Sequence, residues 1–140
     1  MVLQDLLRKD KNLNFKVYTA GYNNFLSDQF QEKVDQLDCI IVDIRYNPYS
    51  FSPFWQKEYL SRRYKDKYLH IKELGNKNYK SGGIKIANWE LGIRSLIEIF
   101  KEDKNIILMC ACKEVKECHR IWIANKIETM FDIKVEEIYP

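Results

Sequence analysis

The sequence predicts an α/β fold, one domain built on a parallel or mostly parallel sheet of about five strands with helices on both faces. Three observations predict it. Short apolar runs alternate along the chain with segments whose apolar residues recur at helical spacing. Two of the runs, Cys39 to Ile44 and Asn105 to Cys110, are almost continuously apolar, as strands covered on both faces of a parallel sheet are. The segments between runs suit right-handed crossovers. A chain of 140 residues is one domain and can bury roughly 68% of its unfolded surface, so it needs no disulfide or metal to fold.

The elements follow in order. Phe15 to Thr19 reads as a short strand ending at Gly21, and Leu26, Phe30, Val34 and Leu37 then mark a helix with Ser27 as its cap. Cys39 to Ile44 is the second strand. Ser52-Pro53 supplies a cap and first-turn pair for a helix running to about Lys65, and Tyr68 to Ile71 forms a third strand. Gly75 to Gly83 is a polar, glycine-rich loop. Ile86, Trp89, Ile93, Leu96, Ile97 and Phe100 share one helical face, and Asn105 to Cys110 is the clearest central strand. Ile123, Ile127 and Met130 place a helix after Cys118, and Val135 to Tyr139 closes the sheet. No internal repeat, low-complexity tract or linker interrupts this order.

Composition excludes several classes. Five Gly and three Pro beside 14% aromatic residues are not those of a disordered or collagen-like chain. No run approaches the ~20 apolar residues of a membrane span, and Met1-Val2-Leu3-Gln4-Asp5 lacks a secretory core, so a cytoplasmic protein without a membrane partner is expected. No P-loop, dinucleotide, zincin or nucleophile-elbow motif is present. The net charge of +3 hides an asymmetry: Lys57 to Lys85 carries a net +6 and the remainder −3. Tyr59, Tyr64, Tyr68 and Tyr79 interleave with those bases, a pattern that fits either phosphate and base binding or a solvated helix with inward rings.

In open α/β sheets ligands bind beyond the carboxyl ends of the strands. Three such ends carry chemistry here: Thr19-Ala20-Gly21-Tyr22, Asp43-Ile44-Arg45, and Cys110-Ala111-Cys112 with the charged loop that leads to Cys118-His119-Arg120. A helix start at His119 offers free N–H groups and a partial positive charge, which favour an anion and acidify a nearby thiol. Cys110 or Cys118 is therefore a candidate nucleophile, Cys110 the first choice because it ends the central strand, with His119 as base and Arg120 as anion clamp. Packing as buried small hydrophobes is the other reading of these cysteines. Zinc would accept Cys110, Cys112, Cys118 and His119, but C-x-C departs from the usual C-x(2–4)-C knuckle, so no metal and no cofactor are expected. Arg45 is read as an anion ligand with Asp43 orienting it or acting as base, against a plain buried ion pair. His70, alone in an apolar strand, is a candidate ligand contact or a core histidine.

With those residues in view, the chain resembles the bacterial and archaeal family catalogued as domain of unknown function 488. The match runs from about Val17 to the C-terminus. It rests on the Thr-x-Gly-Tyr-like turn Thr19-Ala20-Gly21-Tyr22, on Asp43-Ile44-Arg45 followed by Pro48-Tyr49-Ser50, on His70, Leu74 and Gly75, and on Cys110-Ala111 followed by Cys118-His119-Arg120. The resemblance implies an α/β fold and a site that includes Tyr22, Ser50 and His70 beside the residues above. It assigns no reaction. Two positions depart from the family pattern: Phe51-Ser52-Pro53-Phe54 stands where a basic segment is usual, and Cys112 where an acid is common. A weaker, fold-level similarity is to rhodanese-like domains, whose anion loop is shorter than the interval from Cys110 to Arg120.

Two functions of different class follow. One is a thiol-dependent enzyme acting on a phosphorylated or nucleic-acid-related substrate bound at the strand ends. The other is a non-catalytic nucleic-acid or nucleotide-binding module using the same basic cleft, with phosphate contacts that weaken steeply in salt. A domain acting only through protein contacts, using Trp55 or Phe51, is the third.

Overall fold

The computed structural model describes residues 14–80, 82–112 and 118–140. Five parallel strands form one sheet: β1 (Val17–Gly21), β2 (Cys39–Asp43), β3 (Tyr68–His70), β4 (Asn105–Cys110) and β5 (Val135–Glu137). Their spatial order is β3-β2-β4-β1-β5. Four helices connect them, α1 (Ser27–Leu37), α2 (Lys57–Tyr64), α3 (Trp89–Lys101) and α4 (His119–Phe131). The expected fold is the one observed. Residues 1–13, among them the segment read for a secretory signal, and the charged stretch 113–117 lie outside the described residues.

The alternation along β4 explains the two-sided core. Ile106, Leu108 and Cys110 face α3 and α4, packing with Ile93, Leu96, Ile97, Phe100, Ile123 and Ile127. Ile107 and Met109 face the other way, among Phe30, Val34, Leu60 and Tyr64 from α1 and α2. Both faces of the central strand are covered, which is why its sequence carries no polar alternation. The chain leaves β1 toward β2 on one side, and leaves β4 toward β5 on the other. The carboxyl ends of β1 and β4 therefore border the crevice where the winding reverses, and Gly21 lies directly opposite Cys110 there.

Some boundaries differ from the sequence expectation. The helix read from Ser52 to Lys65 is two pieces: Pro53–Trp55 makes a single 3₁₀ turn, Gln56 is extended, and α2 starts at Lys57. The break lets Trp55 turn inward, stacked on Tyr22 at 4.8 Å and edge-on to Phe30 at 5.3 Å. Trp55 is thus buried, not an exposed contact residue. Ser27 is the first residue of α1 instead of its cap; Leu26 holds the cap position and its N–H donates to Gln29 Oε1 at 2.9 Å. Ile86 precedes α3, whose true cap is Asn88, with Oδ1 accepting from the Leu91 N–H at 3.2 Å. Asp38 and Asp132 close α1 and α4 in the left-handed region, where Asp is better tolerated than most residues.

Among the described residues, no helix is long and apolar enough to cross a membrane. The interleaved tyrosines of the basic region separate by burial. Tyr64 and Tyr68 are core residues, Tyr59 is half-buried, and only Tyr79 is exposed. Arg63 is committed to Ser27, Tyr59, Asp28 and Gln31, which ties α2 to α1 and leaves it engaged within the fold. The region is therefore a packed helix face followed by a polar loop, and not a continuous stacking surface.

Candidate functional site

The arginine just beyond β2 is buried and tightly held. Arg45 Nε and Nη2 donate to Asp43 Oδ1 and Oδ2 at 2.8 and 2.7 Å, and the Arg45 N–H adds a bond to Oδ1 at 3.2 Å. Tyr68 OH donates to Oδ2 at 2.5 Å. Asp43 is fully buried and Arg45 is 5% exposed. Burial works against the guanidinium charge, but the paired carboxylate outweighs it and holds Arg45 more firmly protonated than usual. The Tyr22 ring lies beneath the guanidinium, 5.2 Å from centroid to Cζ, and Tyr22 is itself held by Trp55. His70 Nε2 donates to the Arg45 carbonyl at 2.7 Å, so its Nδ1 is free to accept from Lys57 Nζ at 3.5 Å.

This arrangement assigns roles that sequence alone left open. Asp43 was a candidate base, yet both of its oxygens are occupied by Arg45 and Tyr68, so it is the holder of Arg45. Tyr22 and His70 act on Arg45 from below and behind. Of the guanidinium nitrogens only Nη1 is left over: it is buried with no hydrogen-bond partner among the described residues. A buried donor without a partner is costly, about 1 to 3 kcal/mol or more when charged.

The sulfur-bearing end is built by β1, β4 and α4. The Sγ atoms of Cys110, Cys112 and Cys118 all lie within 4.8 Å of one another, with Cys110 and Cys118 at 2.6 Å. Gly21 makes this possible. A Cβ there would sit 1.8 Å from the Cys112 carbonyl oxygen, so only glycine lets the chain leaving β4 cross the end of β1. Arg120 fixes the crossing: Nη1 donates to the Cys112 carbonyl at 2.8 Å and to Cys110 Sγ at 3.1 Å, while Nε and Nη2 hold the Glu137 carboxylate at 3.0 and 2.9 Å. Arg120 is wholly buried. It is a brace for the cluster, not the open anion clamp expected of it.

His119 faces two ways. Its Nε2 lies 2.6 Å from the Ile44 carbonyl, which can only accept, so Nε2 carries the proton. In the neutral ring Nδ1 then presents a lone pair to Cys118 Sγ at 3.7 Å. Burial pulls the His119 pKa down, only partly offset by that carbonyl, which favours the neutral ring. Burial likewise pushes Cys110 well up, reinforced by its bonds to the other two thiols. Cys112 is driven the opposite way, because thiol hydrogen bonds from Cys110 and Cys118 stabilise its thiolate, with His119 and Arg120 adding to the effect. Cys118 goes up; the bond from Cys110 favours its thiolate, but the bond it gives Cys112 and its burial outweigh that. Cys112, the half-buried member, is the thiol that its surroundings favour as thiolate, and Cys110 is an interior thiol.

Both halves meet in one cavity of about 1000 Å³, with Arg45, Cys110, Cys112 and His119 at its base. Its rim carries Tyr49, Phe51, Tyr79 and Ile84, all exposed, and Phe51 is 96% so. Lys80, Asn76 and Asn78 come from the polar loop after Gly75. A shallower hollow of about 590 Å³ shares Tyr46, Asn47 and Tyr79 and adds Lys57, His70 and Lys72. Ser50, expected at the site from the family resemblance, lines neither; its Oγ accepts from the Ser52 N–H at 3.2 Å and its carbonyl from Gln56, so it shapes the loop under the rim. Cys112 is the residue that sequence reasoning underrated. Its signal was the C-x-C spacing, which looked wrong for a metal knuckle but sets two sulfurs on the same face at a strand end.

Compared with protein-family models, curated proteins and solved structures, the chain has no significant match.

Proposed function

We propose that the cavity binds an anionic ligand on Arg45, and that the protein is a thiol-dependent enzyme acting on a phosphorylated or nucleic-acid-related substrate laid against the sulfur cluster. The observation that carries this is Arg45 Nη1. A guanidinium held rigid by two bonds to Asp43, with the Arg45 N–H adding a third, supported by an aromatic ring and left with one buried, unpartnered donor at the base of a cavity, is preorganised for an incoming oxyanion. Lys80 on the rim adds charge, and Phe51, Tyr49 and Tyr79 offer flat apolar surface to the uncharged part of such a ligand. Cys112 is the sulfur on the same floor that is not sealed in the core. Membership of the domain of unknown function 488 family is part of the proposal, supported by Arg45, Cys110, Ala111 and His119 of its motif residues, which line this cavity.

The test is binding of inorganic phosphate, a nucleoside 5′-monophosphate and a short oligonucleotide, followed by calorimetry. Binding to the native chain that disappears in Arg45→Met is expected; equal binding by both proteins would refute the assignment of Arg45. The exposed aromatic rim also favours a second reading, a nucleotide- or nucleic-acid-binding module without chemistry. In that case affinity falls steeply with salt and Cys112→Ala changes nothing, whereas in the enzyme reading Cys112→Ala leaves binding and removes turnover.

A further inference from the structure

We propose that Cys110, Cys112, Cys118 and His119 together bind one thiophilic divalent cation of the zinc class. Three donor atoms of the right kind converge and a fourth adjoins one of them. Three are sulfurs within 4.8 Å of one another, and the fourth is His119 Nδ1, 3.7 Å from Cys118 Sγ. A tetrahedral zinc with bonds of about 2.3 Å to sulfur and 2.05 Å to nitrogen separates its ligands by about 3.8 Å (S···S) and 3.6 Å (S···N). Cys110 and Cys118 Sγ, 2.6 Å apart, must open by about 1.2 Å to bind such an ion, while His119 Nδ1 already stands at the right distance from Cys118 Sγ.

The surroundings match those of a ligand set. A metal-bound imidazole normally donates its other N–H to a carbonyl or carboxylate, which fixes the tautomer and aims the lone pair. His119 does this through Nε2 and the Ile44 carbonyl at 2.6 Å. Three thiolates around a dication leave one negative charge, and Arg120 Nη1 stands 3.1 Å from Cys110 Sγ to meet it. Glu137 and the Cys112 carbonyl also hold it there, independently of the sulfurs. Loading is balanced by proton release: each cluster thiol that still carries its proton gives it up, His119 offers the Nδ1 lone pair of its neutral ring, and no oxidant is consumed.

This goes beyond the anion-binding reading and does not depend on it. Arg45 is not a ligand, so the cation is retained in Arg45→Met. If bound, the ion keeps Cys112 deprotonated at the cavity floor and ties the strand end of β4 to the start of α4.

The experiment is metal analysis of the reduced full chain, with cobalt(II) titration as the optical readout. One zinc per chain, intense sulfur-to-cobalt absorption with tetrahedral d–d bands saturating at one equivalent, and bleaching of both by zinc are expected. Cys112→Ser and His119→Ala should lose or blue-shift the cobalt signal, and Cys39→Ala and Arg45→Met should keep it. Should Cys118→Ser fail to fold, zinc release from the native chain by stepwise thiol titration replaces it, with release complete as the three cluster thiols react. A reduced chain giving no tetrahedral cobalt spectrum overturns the proposal, as does a native chain lighter by two hydrogens with Cys110 and Cys118 in one cross-linked peptide that reduction does not make cobalt-competent. Loss of anion binding with an intact cobalt spectrum would sink only the function proposed above.

Discussion

Replacing Asp43 by Asn changes one atom and should unsettle the whole strand end. Asp43 accepts four hydrogen bonds, three from Arg45 and one from Tyr68, inside a fully buried site. Asn keeps the volume but removes the negative charge and turns one acceptor into a donor that faces donors. Arg45, 5% exposed, is then a buried cation with no counter-charge. Breaking a buried pair in this way costs about 3 to 5 kcal/mol. At roughly 2.1 cal/mol/K of unfolding entropy per residue, a chain of 140 residues loses about 3 °C in Tm per kcal/mol, so a fall of about 10 to 15 °C is expected. Arg45→Met should cost a similar amount by stranding the carboxylate. The double variant removes both charges and should recover to within about 2 kcal/mol of the native chain, because a buried pair replaced by neutral groups is often tolerated. Urea unfolding of the four proteins gives the coupling energy directly. An Asp43→Asn cost below about 1 kcal/mol, or a double variant as unstable as the sum of the singles, would refute the idea that the pair is held as a mutually dependent unit.

Further predictions concern the neighbours of that pair. Gly21→Ala drives a Cβ to 1.8 Å from the Cys112 carbonyl, so the crossing must open by more than an ångström; loss of the Arg120 bond there costs about 1.5 to 3 kcal/mol, and faster alkylation of Cys110 and Cys118 in the folded protein should accompany the lower Tm. Tyr68→Phe deletes the bond to Asp43 and should cost about 1 to 3 kcal/mol in urea unfolding, without speeding the alkylation of Cys110 or Cys118 in the folded protein. Cys39 is buried, and that burial first, then Asp38, pushes its thiol from the usual 9.0 to about 12. A raised folded pKa on an acid means its stabilising contribution is whole below the unfolded value and is lost as pH climbs from about 9 toward 12, at about 1.4 kcal/mol per pH unit. Cys39→Ala should therefore flatten the stability decline between pH 9 and 10 by about that amount; an unchanged slope would contradict the cause given for the shift.

The fold was legible because β2 and β4 are buried on both faces, and nothing but a covered parallel strand accounts for runs such as Ile106-Ile107-Leu108-Met109. The break at Gln56 was not legible, since Ser52-Pro53 is a sound helix start and the reason to leave it lies in the distant rings of Tyr22 and Phe30. The ends of β2 and β4 reach the cavity through Arg45 and Cys110, and the end of β1 packs against them through Gly21 and Tyr22. What spacing could not decide was which side chains face the cavity and which face each other. Arg120 and Arg45 look alike in sequence, each beside a reactive residue at an element end. Glu137, more than a dozen residues further on, claims two nitrogens of Arg120, whereas Asp43 leaves one nitrogen of Arg45 unpartnered among the described residues. Long-range partners of this kind leave no local pattern to read.

The same long-range geometry gives the site a property neither half has alone. Asp43, Tyr68 and Tyr22 reach Arg45 from the side of the sheet covered by α1 and α2, while Cys110 and Cys118 belong to the side covered by α3 and α4. The two sides are joined at the bond from His119 Nε2 to the carbonyl of Ile44, the residue between Asp43 and Arg45. A displacement of the Arg45 backbone on ligand entry must therefore pull on the imidazole that faces Cys118, and a displaced imidazole must move the Arg45 loop. His119→Ala removes this strut and leaves the Ile44 carbonyl without it. Beyond its effect on the sulfurs, that variant should weaken the proposed phosphate binding at Arg45 by several-fold in calorimetry through loss of this strut. Unchanged phosphate affinity in a folded His119→Ala protein would mean that the anion pocket and the sulfur cluster are neighbours without mechanical coupling.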